Sequence, residues 1–254
     1  MSREDPDFID SVDKAFQVMM VFSAENPELS VSRVAELTGL TRATVRRLLL
    51  TFERLGFAEM RDRRFRLTPK VLRLGYGYLS SAPWWESAEP HMRSLSAELQ
   101  ESSSLATLDG TEIVYLARVP SPRSVAITLN IGSRLPAYPT SLGRVLLAAL
   151  PDDELDAYLA KAELRPLTSY TVTEPSRLRE ILEEVRRDGY ALIDGEREVG
   201  VRSVAAGIRY RDRVIAALNV SANAARLSVE ELRERCAPMV IEHAEAISAE
   251  IATR

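Results

Sequence analysis

Between Ser30 and Gly56 the chain spells two short helical segments joined by a glycine-containing turn, a pattern few folds accept. Ser30 is placed to cap a helix over Val31–Leu37, in which Val34 and Leu37 are apolar. Thr38-Gly39-Leu40 supplies the turn, because Gly39 tolerates a positive φ. Thr41 caps a second helix running to about Leu55, and Gly56 ends it. In that helix Val45, Leu48, Leu49 and Phe52 recur at i, i+3, i+4 and i+7, which gives one core-facing stripe. The opposite side carries Ala43, Arg46, Arg47, Arg54 and Leu50, with Arg42 and Thr44 near its start. The geometry is that of a helix–turn–helix, which delivers its second helix to the major groove of DNA.

The flanking sequence extends the same unit. Ile9, Val12, Phe16, Met19 and Met20 predict a helix over Phe8–Ala24. Two short runs around the basic segment Arg61-Asp62-Arg63-Arg64 predict a β-hairpin wing with Arg63 and Arg64 at its tip. From Arg33 to Arg73 there are 11 Lys and Arg against 4 Asp and Glu, whereas from Leu74 onward the counts are 20 and 26. A net charge of −4 therefore hides a basic module joined to an acidic body. Thr41, Arg42, Ala43, Thr44, Arg46, Arg47, Arg63 and Arg64 are the candidate DNA contacts. Guanidinium groups bond phosphates and guanine edges, small side chains let the helix approach the bases, and a basic wing suits backbone or minor groove.

Pro69 opens a linker helix in which Val71, Leu74, Gly75 and Tyr78 share a face, and Gly75 and Gly77 permit close packing against a second copy of the chain. Pro83 breaks it, and Trp84–Gln100 follows as an amphipathic helix. Beyond it strands are expected over Ser104–Leu108, Ile113–Val119, Val125–Ile131, Tyr190–Ile193, Val204–Ile208 and Val214–Val220. Gly132–Pro136 reads as a loop, and helices are expected over Ser141–Leu150, Leu155–Leu159, Arg177–Asp188 and Ser228–Ile251. The sum is an α+β chain: a winged helix-turn-helix over 1–68, a linker and dimerisation helix over 69–82, and an antiparallel sheet covered by helices over 83–254.

Several function classes find no support. One cysteine, Cys236, excludes a disulfide framework within the chain, and His91 and His243 sit in no zinc or cofactor motif, so neither metal nor cofactor is expected. The sequence holds no Gly-x-Ser-x-Gly, P-loop or Gly-x-Gly-x-x-Gly, and Glu196 and Glu198 read more simply as ion-pair partners of Arg197 and Arg202 than as an acid/base pair. No apolar run is long enough for a membrane span, and Met1–Asp10 has no apolar signal core, so a cytoplasmic protein that is not an enzyme is expected.

The chain resembles the IclR-type transcriptional regulators over nearly its whole length, from about Ile9 to Ile251. The marks are Ser11-Val12-Asp13-Lys14-Ala15, the Leu37–Leu40 turn, Gly189-Tyr190-Ala191, Glu196, Glu198, Gly200–Ala206 and Ala216–Ser221. Gly207 departs from the pattern by standing where the family often has proline, and Asp212-Arg213 by standing where a glycine turn is common. The run Gly132–Ala148 resembles the branch that controls protocatechuate, 4-hydroxybenzoate and β-ketoadipate catabolism. The resemblance implies a GAF-like effector domain, operator DNA as partner, a homodimer or dimer of dimers, and an aromatic-acid or dicarboxylate effector regulating a catabolic operon. An unrelated small organic acid is one alternative, and a small-molecule enzyme with an appended winged helix is the other. It further implies a pocket that includes Ser141 and Leu142, with Gly143 beside them, and Asp194, Ser203, Asn219 and Ser221. A helix N-terminus at Ser141 suits a carboxylate, and Arg134 is added as a guanidinium within reach.

Overall fold

In a computed structural model, which describes residues 7–81, 84–121 and 129–253, the chain divides into two units, Met1–Ala82 and Pro83–Arg254. The first unit holds α1 (Asp10–Met20), α2 (Val31–Thr38) and α3 (Arg42–Leu55), then a hairpin of β1 (Ala58–Arg61) and β2 (Arg64–Leu67). Its core is Val18, Val34, Val45, Leu49, Phe52, Ala58 and Phe65, closed by Leu29, which bridges to Phe65. The caps fall where the sequence puts them: Ser30 and Thr41 accept from the first turns of α2 and α3, and Gly39 and Gly56 take left-handed C-caps. The α1 stripe differs from expectation. Ile9, Val12, Phe16 and Met20 are exposed; of the expected stripe Met19 packs on the core, joined by Val18 and Ala15. Leu50, on the outer side of the helical wheel, is half-buried against the same core.

Asp62 and Arg63 form the two-residue turn of the wing, with φ of 50° and 62°. That is the twist a tight hairpin favours, although arginine is an uncommon choice for it. Arg64 is not in the turn but begins β2, paired with Arg61. Pro69–Val71 forms one tight helical turn before α4 (Leu72–Ser81), on which Leu72, Leu74, Tyr76 and Tyr78 are exposed.

The second unit is a six-stranded antiparallel sheet in the order β5-β4-β3-β8-β7-β6. Its strands are β3 (Ser102–Asp109), β4 (Glu112–Val119), β5 (Arg134–Pro136), β6 (Tyr190–Asp194), β7 (Val201–Tyr210) and β8 (Arg213–Asn223). The expected strand Val125–Ile131 lies largely outside the described residues, and β5 comes instead from the segment read as a loop, pairing with the outer edge of β4. Period-two alternation gives each face its own core. Leu105, Val204, Ile208 and Leu218 pack under α5 (Trp84–Leu99) and α10 (Ala237–Ala252). Ala106, Ile113, Ala205 and Ala217 pack under α6 (Ser141–Ala148), α7 (Asp152–Lys161) and α8 (Pro175–Asp188).

The helix expected over Ser228–Ile251 is interrupted. A first turn, α9 (Val229–Glu231), leads into a wider π turn over Leu232–Cys236 before α10 begins. Pro238 lacks the N–H an α-helix needs at that point, which accounts for the wider turn. Gly207 lies inside β7, where a Cβ would press on Val214 and Val145 at 3.1–3.3 Å. Among the described residues no helix is long and apolar enough to cross a membrane, and no cluster of three or more His, Cys, Asp or Glu side chains is placed to hold a metal.

Candidate functional site

Each unit presents a cationic surface, built in a different way. On α3 the caps fix the helix start: Thr41 Oγ1 accepts from Thr44 N at 3.2 Å and shares a 2.9 Å hydrogen bond with Thr44 Oγ1. Both threonine hydroxyls are thus engaged locally. Thr44 is half-buried, while Thr41, Arg42, Ala43, Arg46 and Arg47 are exposed. Arg33 and Arg66 are held by Glu36 and Glu59, and no such ion pair engages Arg42, Arg46, Arg47, Arg63 or Arg64 among the described residues. Glu28, Glu36 and Glu59 are thus spent on peripheral arginines, and the arginines of the outer face of α3 and of the wing keep their charge.

The second surface is a cavity of about 50 Å3 on the α6 side of the sheet. By the same measure one water needs roughly 10–15 Å3, so the space suits a compact guest. Strand register assembles the floor. Arg118, Ser104 and Asn219 are successive cross-strand neighbours on β4, β3 and β8. In the next row Ser221, Ser203 and Ile193 are neighbours on β8, β7 and β6. The wall is the start of α6, where Thr140 caps the helix by accepting from Gly143 N at 3.0 Å. Pro139, Thr140, Ser141 and Leu142 line the cavity there, and Ser141 Oγ is buried with no hydrogen-bond partner among the described residues. Tyr115, Leu129, Arg197 and Val201 complete the lining.

The electrostatics of this cavity are one-sided. Arg118 Nη1 donates to Ser104 Oγ at 3.2 Å and Nη2 to Ser102 Oγ at 3.4 Å, with no carboxylate partner among the described residues. Burial pushes its guanidinium below the ordinary arginine range, and the nearby charge of Arg197 adds to that. Among the described residues the ion pair of Arg197 is a 3.5 Å contact with Glu198. Burial also pushes the Tyr115 hydroxyl up. No acidic side chain lines the cavity among the described residues. Two guanidinium groups, a serine hydroxyl with no partner among the described residues and a helix N-terminus around one recess are chemically suited to a small anion. An open groove of about 570 Å3 beside α8 and α10 is larger, but its arginines are matched by Asp188 and Glu245.

The structure brings together Ser141, Leu142, Ser203, Asn219 and Ser221 in this lining, and leaves out three other residues expected there. Arg134 lies on the edge strand β5, where it is exposed and holds Asp109 at 2.8 Å and Glu112 at 2.7 Å. Asp194 follows Ile193, so strand alternation turns it to the opposite face, where it binds Arg202 at 2.7 Å. Gly143 is a packing position. A Cβ there would lie 2.0 Å from the carbonyl of Ala137, so only glycine lets the segment before α6 cross the helix. Arg118, Arg197, Ser104 and Tyr115 escaped the sequence reading because nothing local marks them.

Comparison with known proteins bears on both units. The family described as the IclR helix-turn-helix domain matches residues 11–62, and that described as Bacterial transcriptional regulator IclR C-terminal matches residues 76–249. The Pca regulon regulatory protein of Pseudomonas putida is 40% identical over 239 residues, covering 93% of this chain and 82% of that protein. The inducer-binding domain of the PobR transcription factor from Acinetobacter, solved as a double mutant with 3-hydroxybenzoic acid, is 30% identical with a TM-score of 0.60, covering 64% of this chain and 96% of that one. An IclR homolog from Microbacterium hydrocarbonoxydans, solved with 4-hydroxybenzoate, shares the fold at a TM-score of 0.85 and 24% identity, covering 96% of this chain and 100% of that one.

Proposed function

The chain belongs to the IclR family of bacterial transcriptional regulators, and from that membership we propose that it is a DNA-binding switch set by a small carboxylate of the aromatic-catabolism type. The observation that carries the ligand class is the pair of guanidinium groups, Arg118 and Arg197, at a cavity with no acidic lining residue among those described. A half-buried cation with no carboxylate partner, as Arg118 is among the described residues, favours an anionic guest, because the guest restores what desolvation removed. The likeness to a Pca regulon regulator and to a hydroxybenzoate-bound domain supports an acid with a ring or short chain. Ser141, Leu142, Ser203, Asn219 and Ser221 would bind the rest of the molecule.

On DNA, Arg42, Ala43, Arg46 and Arg47 would face the major groove of the operator, with Thr41 and Thr44 fixing the helix start. Arg63 and Arg64 would hold the backbone from the wing. The unit over 1–68 would bind DNA, the segment over 69–82 would mediate self-association, and the unit over 83–254 would take the effector. Exposed apolar side chains on α1 and α4 suit a homodimer, which would read paired half-sites. The effector acts through its different affinities for the two DNA-binding states of the oligomer, by binding and not by catalysis. Such a switch works where the operator is, in the cytoplasm.

A thermal-shift titration with protocatechuate, 4-hydroxybenzoate, β-ketoadipate and neutral analogues tests this reading. A saturable rise in Tm with an acid and none with its neutral analogue is the expected result. Equal shifts with acid and neutral analogue, or none with any acid, would remove the assignment. A shift only with an unrelated organic acid would keep the anion site and change the pathway.

A further inference from the structure

Neither Arg144 nor Glu196 lines the cavity, yet they form a buried ion pair beside it: Arg144 Nη2 meets Glu196 Oε2 at 2.6 Å, with side chains 3% and 10% exposed. The two residues come from the two segments that wall the cavity. Arg144 belongs to α6, and its Nε donates to Tyr138 O at 3.1 Å, which anchors the segment that supplies Pro139 and Thr140 to the lining. Glu196 immediately precedes Arg197. Its carboxylate also accepts from Val172 N at 3.1 Å, and its carbonyl accepts from the hydroxyls of Thr168 at 3.2 Å and Thr171 at 2.5 Å. None of these four partners of the glutamate lines the cavity.

Buried ion pairs add little net stability relative to apolar residues of the same size, because desolvation offsets the attraction. This pair does two other things. It fixes the spacing between the α6 wall and the loop that carries Arg197. It also keeps a carboxylate one residue from Arg197 committed elsewhere, so the cavity stays cationic. We infer that Arg144 and Glu196 are positioning residues for anion recognition: the pair sets the width of the cavity, aims Arg197 into it, and withholds the Glu196 carboxylate, which would otherwise add to the 3.5 Å contact of Glu198 with that guanidinium. The inference rests on the anion-site reading and adds how that site is kept open and charged.

The test uses the full-length protein in three forms: wild type, Arg118→Ala, and the double variant Arg144→Leu/Glu196→Leu, which replaces the buried pair with apolar volume and leaves no lone charge inside. Glu196→Gln, which keeps the shape and removes the charge, is a second probe should the double variant fold poorly. Two readouts are taken: hydrogen exchange of the ligand-free protein, and calorimetric titration with protocatechuate and 4-hydroxybenzoate. The expected result is faster exchange confined to residues 137–142 and 195–200, with Tm nearly unchanged. Acid affinity should fall by roughly ten- to a hundredfold, as for a lost charged hydrogen bond. Unchanged exchange in both segments, or a fall in Tm with the affinity of the folded protein intact, would overturn the positioning role. Affinity lost in Arg118→Ala but kept in the double variant would overturn it while sparing the anion site. Should wild type bind neither acid, the site reading fails, and the exchange pattern still decides whether the pair holds the two walls.

Discussion

Arg46 and Arg47 stand exposed on α3 with no ion pair among the described residues, whereas Arg118 lies half-buried in a cavity, donating to two serine hydroxyls and pushed down by burial. The side chain is the same and its environment is opposite. An exposed guanidinium keeps its hydration, so each contact with an anion is weak and screened by salt, and strength comes from many contacts along a polyanion. A guanidinium half-stripped of water has already lost hydration in the empty site, and one well-placed carboxylate recovers much of it. The N-terminal unit is thus suited to a long charged lattice and the C-terminal unit to one small anion.

The contrast can be broken most forcefully at the DNA surface. Arg46→Ala and Arg47→Ala should each weaken operator binding by ~1–3 kcal/mol if they reach bases, with the double variant weaker than either. Fluorescence anisotropy across a salt series checks this, and wild-type binding should fall steeply with salt while acid binding by the cavity barely changes. Operator affinity unchanged in both single variants would take α3's outer face out of the interface.

In the cavity, Ser203→Leu places a branched side chain on the floor beside Ser221 and Ile193. Acid affinity by calorimetry should drop roughly tenfold or more, since overpacking costs ~1–3 kcal/mol. Ligand-free operator binding should stay as in wild type. An intact response would move the effector site elsewhere.

Smaller effects come from the wing and from the α5–α10 face. Arg63 holds a φ of 62°, a conformation that costs a non-glycine residue ~1 kcal/mol. Arg63→Gly should therefore raise the stability of the hairpin slightly while weakening DNA binding, a split expected where strain is kept for a charge. Gains in both would show that the arginine is incidental.

His91 and His243 meet Nδ1 to Nδ1 at 2.9 Å, with His91 Nε2 3.1 Å from Glu250. Burial chiefly, and the neighbouring His91, push His243 below its ordinary value of 6.5. The unfolded chain then takes up this proton before the folded one does. The contribution is intact above 6.5 and is lost as pH falls from there through the lowered value. Tm measured between pH 7.5 and 5.5 should decline, and His243→Gln should flatten the decline. An identical slope in the variant would assign it to other groups.

What the sequence by itself determined is whatever local chemistry dictates. Ser30 and Thr41 as caps, Gly39 and Gly56 as left-handed terminators and the Val45–Phe52 stripe define the helix–turn–helix within a few dozen residues. The charge excess around Arg42–Arg64 names its target. The serines and asparagine of the cavity floor were legible only through likeness to a family, because polar residues alternating on a strand look the same whether they face a ligand or water. What the tertiary structure decided is which residues meet. Arg118 and Arg197 share a cavity because the register of β4, β3, β8 and β7 brings their segments together. A shift of one residue in β4 would send Arg118 to the other face. Arg134 and Asp194 were lost to the site for the same reason: each found a counter-charge on its own edge or face. Local spacing fixes a helix, but a binding site in a sheet is a product of long-range pairing, which no window of sequence contains.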